Sequence, residues 1–222
     1  MTADPPVGEA SDKRYDRAYF DRWYRGEESP PGLGSSLERN VALAVAAAES
    51  VLDRPLRTVL DVGCGEGRWQ PVLHALRPDA AYLGIDPSEY AVERFGEARN
   101  LRLGGFDELH LHVFDDPFDL VVCSDVMHYL DARTILRGLD TLVDLVGGVA
   151  LLEVFTADDV VEGDREGFHL REPAWYRRAF TAAGLRALGL QLWVHHEIAE
   201  DLDALDLPMS ALPGRPPETA GG

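Results

Sequence analysis

The chain has 222 residues, and its 39 Asp and Glu outnumber 21 Lys and Arg to leave a formal charge of −18. That length makes one large domain or two small ones, and 45% hydrophobic with 27% charged residues is globular composition rather than that of a disordered or fibrous chain. So acidic a protein repels phosphate backbones and anionic lipid; it has no apolar run near the roughly 18 to 20 residues that span a bilayer, and its opening MTADPPVGEA lacks a signal peptide's basic and apolar regions. A cytoplasmic protein with neither nucleic-acid nor membrane partner is expected.

Cys64 and Cys123 lie in hydrophobic stretches without a CxxC pair, and the seven histidines are scattered, so neither a disulfide framework nor a metal site is expected. Residues 1 to 12 and the Pro- and Gly-rich tail Pro208 to Gly222 are loose ends by composition. With no repeat and no long linker between them, the chain divides into residues 1–54 as a tail and helical appendage, 55–207 as the main domain and 208–222 as a flexible tail.

In KRYDRAYFDRWYRG, Tyr15, Tyr19, Phe20, Trp23 and Tyr24 recur at helical spacing, and Gly26 would end the helix. A PPGLG turn then leads to a helix running to Leu52, with Ser35 or Ser36 as its N-cap. From Arg57 the pattern changes to short apolar runs: Thr58 to Val62, Ala81 to Ile85, Leu101 to Leu103, Phe118 to Cys123 and Gly148 to Phe155. They are too short for helices and rich in Val, Leu and Ile, which marks buried strands. Helical segments at Trp69 to Leu76, Tyr90 to Phe95 and Ala132 to Leu145 alternate with them, the pattern of a doubly wound, mostly parallel sheet. A helix over Ala174 to Ala183 precedes LRALGLQLWVHH, which is one long strand or two broken at Gly189, so the sheet has six or seven strands.

The chemistry is concentrated in VLDVGCGEGRW, a strand ending in Asp61 followed by Gly63, Gly65 and Gly67 before a helix. Glycines there let the backbone turn sharply and approach a ligand closely. A dinucleotide fingerprint needs glycine at the sixth position from Gly63, where this chain has Arg68. Asp86, at the end of the second strand and 25 residues after Asp61, is placed to accept hydrogen bonds from ribose hydroxyls; its bland alternative is an exposed helix cap beside Ser88.

Together VLDVGCGEG, GIDPS and FDLVVCSDVMHYL resemble the class I S-adenosylmethionine-dependent methyltransferases over about residues 55 to 155. The resemblance implies a Rossmann-like sheet with an N-terminal helical lid, S-adenosylmethionine as cofactor without a metal, and methyl transfer by in-line displacement with S-adenosylhomocysteine as product. By position it puts Asp61, Gly63, Cys64, Gly65 and Gly67 around the methionine part of the cofactor, Asp86 on the ribose and Pro87 beside the adenine. Phe106 would pack on the adenine with Asp107 as a shifted acid, and Ser124 and Asp125 would line the methyl-donating end.

His128 is the best general base for a hydroxyl or thiol acceptor, or else a packing histidine. Glu153 either orients the acceptor or is a buried carboxylate paired to an arginine. Tyr129, His169 and Tyr176 are candidate acceptor contacts. Tyr15 and Tyr19 form a lid or merely dock the helix, and their faces would attract a sulfonium or an ammonium. One short appendage and an acidic surface favour a small-molecule acceptor. The competing reading is a cofactor-binding protein without transferase activity.

Overall fold

The computed structural model describes residues 13–26, 33–160 and 164–202. Of the expected turn Pro30–Gly34, residues 30–32 fall outside these and Leu33 and Gly34 instead begin a helix; the expected loose ends 1–12 and 208–222 also fall outside. A short helix α1 (Arg17–Phe20), N-capped by the Asp16 carboxylate, continues as a wider π turn over Asp21–Arg25 and stops at Gly26. Helix α2 (Leu33–Leu52) starts ahead of the expected caps, so Ser35 and Ser36 lie inside its first turn, and the Ser36 hydroxyl accepts from the Arg39 guanidinium.

Five parallel strands alternate with helices: β1 (Thr58–Val62), α3 (Trp69–Leu76), β2 (Ala81–Asp86), α4 (Glu89–Arg99), β3 (Leu101–Leu103), β4 (Phe118–Ser124), α5 (Ala132–Leu142) and β5 (Val146–Glu153). Strand β5 begins and ends two residues before its expected limits. Val154 and Phe155 leave the sheet, their N–H groups going to the Gln191 side chain and to His128 Nδ1. Helix α6 (Pro173–Ala183), β6 (Leu185–Gly189), β7 (Leu192–His195) and a terminal α7 (His196–Asp201) complete the chain.

The sheet has seven strands in the order β3-β2-β1-β4-β5-β7-β6, so the open alternative at Gly189 resolves to a hairpin whose β7 runs antiparallel to β5 and β6. Leu190 and Gln191, both at positive φ, form its two-residue turn.

Alternation along the strands gives each face of the sheet its own core. Leu60, Val62, Ile85, Val121, Cys123 and Leu152 face α5 and α6, while Val59, Tyr82, Leu120, Val122, Val149 and Leu151 face α2 and α3. Helix α2 buries Val41, Ala44, Val45 and Ala48, one helical stripe, and is thus a core element. Among the described residues no helix is long and apolar enough to cross a membrane, and no group of three or more His, Cys, Asp or Glu is arranged to hold a metal ion.

The order of strands reverses between β1 and β4, both of which end at the same edge of the sheet. In open parallel sheets ligands bind at that crevice, outside the carboxyl ends of the strands.

Candidate active site

The glycine loop leaves β1 toward this crevice and is pinned to β2 by the N–H groups of Gly63 and Cys64, both donating to the Ile85 carbonyl. Gly63, Gly65 and Gly67 have φ of +74°, +54° and +69°, left-handed backbone that other residues adopt only at a cost. Two of them also face close neighbours: a Cβ on Gly63 would lie 2.3 Å from Val126 Cγ2, and one on Gly67 would lie 2.8 Å from Leu101 Cδ2.

Asp86 ends β2 beneath the loop. It is 6% exposed, so it is no exposed cap; Ser88 caps α4 instead, accepting from the Ala91 N–H. One carboxylate oxygen of Asp86 accepts from Gly65 N–H at 2.7 Å and the other from Ser88 N–H at 2.9 Å. Each oxygen keeps a lone pair for another donor. Burial raises the Asp86 pKa, and the two N–H groups oppose that shift. Asp61, buried at the end of β1, accepts from the Tyr82 hydroxyl at 2.6 Å, and burial pushes its carboxyl up to about 7. Cys64 lies against Gly84 of β2, with its thiol raised well above the ordinary range by burial first. Pro87 is exposed on the rim.

Beyond β4, Asp125 takes a left-handed conformation at φ +61° and is exposed, while His128 behind it is 1% exposed. His128 Nδ1 accepts from Phe155 N–H at 3.2 Å. That bond assigns the ring proton of the neutral imidazole to Nε2, which makes Nε2 a donor rather than a proton acceptor. Nε2 lies 3.0 Å from Asp125 Oδ1, close enough for a charge contact but at an angle that makes no hydrogen bond. Among the described residues Glu153 pairs with no arginine: its carboxylate takes a hydrogen bond from the Ser124 hydroxyl and one of 3.2 Å from Asn40 Nδ2 of α2.

The N-terminal segment covers this edge. Gly65 faces the Phe20 ring and the Tyr24 hydroxyl, and the Ser88 hydroxyl donates to the Tyr15 carbonyl. Tyr15 and Tyr19 stand edge to face at 5.0 Å. Burial raises the Tyr15 phenol to about 12, helped by Asp164, Asp86 and Asp125, and raises that of Tyr19 as well. The Lys13 ammonium lies 3.7 Å from the Tyr129 ring centre and 5.3 Å from those of Tyr15 and Tyr19, and it is ion-paired to Asp164.

The structure separates the remaining candidates from this cluster. Phe106 is 5% exposed with its ring against Gly138 of α5, and the Asp107 carboxylate pairs with Arg137 at 3.0 Å. The Tyr176 hydroxyl accepts from Arg171, inside the core beside Phe180. His169 enters through its backbone, donating to the His128 carbonyl; burial first, then Arg171, lowers its imidazole pKa. Lys13, Asp164 and Phe168, which stacks edgewise on His128 and Tyr129, are the residues that sequence reasoning missed. Lys13 directly precedes the aromatic stripe, but nothing local links it to Asp164, 151 positions later.

A family model described as a methyltransferase domain matches residues 34–207. Among curated proteins, comparison by sequence finds no match. Of solved structures, the sugar N-methyltransferase of a Streptoalloteichus species is similar with TM-score 0.58 and 17% identity over 87% of this chain and 96% of that one. A S-adenosylmethionine-dependent methyltransferase from Archaeoglobus fulgidus has TM-score 0.57 and 16% identity over 76% and 73%. The magnesium protoporphyrin IX methyltransferase of Synechocystis, with bound S-adenosylhomocysteine, has 0.55 and 18% over 77% and 86%. At such identities the likeness is one of fold. The family match, spanning most of the chain and both sides of the β1–β4 crevice, makes this protein a member of the methyltransferase-domain family, an S-adenosylmethionine-dependent methyltransferase.

Proposed function

We propose that the enzyme methylates a small molecule held between the β4 exit and its own N-terminal segment. The observation that carries this reading is the aromatic cover itself. Phe20 and Tyr24 lie over Gly65, and Tyr15 is tied to the turn after Asp86, so an acceptor must fit beneath residues of the same chain. The charge of −18 also sets the surface against nucleic acids.

The residues present fit the cofactor. The left-handed glycine loop carries backbone without side chains along the crevice, and the buried Asp86 carboxylate keeps lone pairs for two ribose hydroxyls. In this reading Asp61, Gly63, Cys64, Gly65 and Gly67 hold the methionine part, Asp86 the ribose, and Pro87 borders the adenine. Phe106 and Asp107 are left to packing and to the Arg137 ion pair. Bound there, the cofactor supplies an electrophilic methyl group on a sulfonium. Ser124 and Asp125 face the methyl-donating end, and Glu153 ties the end of β5 to β4 through Ser124 and to α2 through Asn40. His128 offers an N–H and orients the acceptor or Asp125, with alignment supplying most of the acceleration. Tyr15, Tyr19 and Tyr129 contact the acceptor; His169 and Tyr176 support the loop from behind.

Incubation with methyl-labelled S-adenosylmethionine and a panel of small acceptors tests the reading, with S-adenosylhomocysteine affinity measured alongside. Asp86→Ala should weaken that affinity by about 1 to 3 kcal/mol. His128→Asn, which still accepts from Phe155 and donates, should retain far more turnover than His128→Leu. Cofactor affinity without label transfer to any acceptor favours the binding-protein alternative.

A further inference from the structure

Lys13 is an unusual occupant of a protein interior. Its side chain is 7% exposed and that of Asp164 10%, and a buried ammonium is tolerated only where strong partners replace its water. Three tyrosine faces, the Asp164 carboxylate and the Glu166 carbonyl at 3.1 Å do so here. We propose that the pocket made by Tyr15, Tyr19, Tyr129 and Asp164 recognises the amine of the methyl acceptor in its protonated form, and that the Lys13 ammonium is a built-in stand-in which the acceptor displaces. The inference rests on the transferase reading above and names the acceptor class, an aliphatic amine.

The chemistry of the set is selective. Aromatic faces attract cations electrostatically, most strongly where solvent is excluded. The Tyr15 and Tyr19 phenols are un-ionised at neutral pH, and burial raises them further, so their rings act as neutral π surfaces. Asp164 Oδ2 is sealed from solvent against the Lys13 ammonium, so the pocket holds a carboxylate that needs a cationic partner. An ammonium in the place of Lys13 would keep that balance; an alcohol would leave the carboxylate without a counter-charge and a phosphate ester would be repelled.

The pocket also lies where an acceptor belongs. Tyr129 follows His128 at the β4 exit, its hydroxyl donates to the Asp164 carbonyl at 3.0 Å, and Tyr15 is hydrogen-bonded to Ser88 beside Asp86. One proton first passes from the acceptor ammonium to a solvent water while the N-terminal cover is open. The nitrogen lone pair then forms the N–C bond while the C–S bond breaks, its electron pair staying on a neutral sulfur. Positive charge thus moves onto nitrogen during the reaction, where the tyrosine faces and Asp164 stabilise it.

The test is calorimetric titration of the full chain with cyclohexylammonium, its neutral counterpart cyclohexanol, and S-adenosylhomocysteine. Lys13→Met should bind cyclohexylammonium roughly tenfold more tightly than the unsubstituted chain, with no gain for cyclohexanol. Adding Tyr129→Leu should abolish the gain, and Tyr129→Phe, which keeps the ring, should preserve it. If Lys13→Met brings no gain, or cyclohexanol gains equally, the proposal is overturned, and retained S-adenosylhomocysteine affinity leaves the transferase reading standing. A Lys13 that is only a strut would show the same absence of gain with a lower melting temperature. Ammonium binding that follows the predicted pattern without S-adenosylhomocysteine affinity supports the cation site and overturns the transferase reading instead.

Discussion

At the scale of single residues, Asp61 shows how the site sets its electrostatics against stability. Its carboxyl titrates at about 7 rather than the ordinary 3.8 because burial disfavours the charged form, and the Tyr82 hydrogen bond only partly offsets this. A folded-state pKa above the unfolded one means the contribution is fully present below about pH 4 and is lost as pH rises to about 7. Above that, ionised Asp61 costs about 4 kcal/mol relative to its protonated form. Asp61→Asn keeps an acceptor for Tyr82 without the charge, so its urea-unfolding stability should exceed that of the unsubstituted chain by more at pH 8 than at pH 5. An equal difference at both would remove Asp61 as the titrating group. The sequence marks this aspartate by its place before the glycine loop; its burial comes from α2 and α3 covering that face of the sheet.

Among the elements, α5 depends on a residue that helix propensity disfavours. A Cβ on Gly138 would lie 2.1 Å from Phe106 Cδ1 and 2.6 Å from the Phe106 carbonyl oxygen, so the glycine lets the 3-10 turn Phe106–Leu111 seat against the helix. On an exposed helix Gly→Ala gains about 1 kcal/mol. Here Gly138→Ala should instead lower stability by roughly 1 to 3 kcal/mol through overpacking, measurable as a reduced urea midpoint at constant slope. A gain would show that Phe106 has room to move. The same contact explains why Phe106 looks like a cofactor residue in the sequence, where it follows β3 at the ligand edge, yet serves as packing in the fold.

For the molecule as a whole, the N-terminal segment is fastened across the crevice along its length by polar contacts. Lys13 pairs with Asp164, Tyr15 is bonded to Ser88, and the Arg25 guanidinium grips the Glu66 carboxylate with both contacts at 2.5 and 2.6 Å. Such a cover opens locally, with a free energy well below that of global unfolding. Arg25→Ala leaves buried Glu66 without this partner and should raise hydrogen exchange of residues 15–25 by roughly tenfold, with β1, β4 and β5 unchanged. Uniformly faster exchange would mean that the segment is part of the global folding unit rather than a cover.

From β1 to α6 the sequence alone determined the order of strands and helices, because a period-2 or all-apolar run and a helical stripe are local patterns that burial enforces. The limits of β1 and β3, the glycine loop and the position of Asp86 at the carboxyl end of β2 follow from such patterns. The seventh strand did not, since Gly189 fits one strand as well as two until Leu190 and Gln191 turn the chain back onto β5. Only the tertiary structure placed the Phe155 N–H on His128 and Asp164 beside Lys13. Ring tautomer and charge compensation are settled by contacts between distant parts of the chain, and no local spacing encodes them.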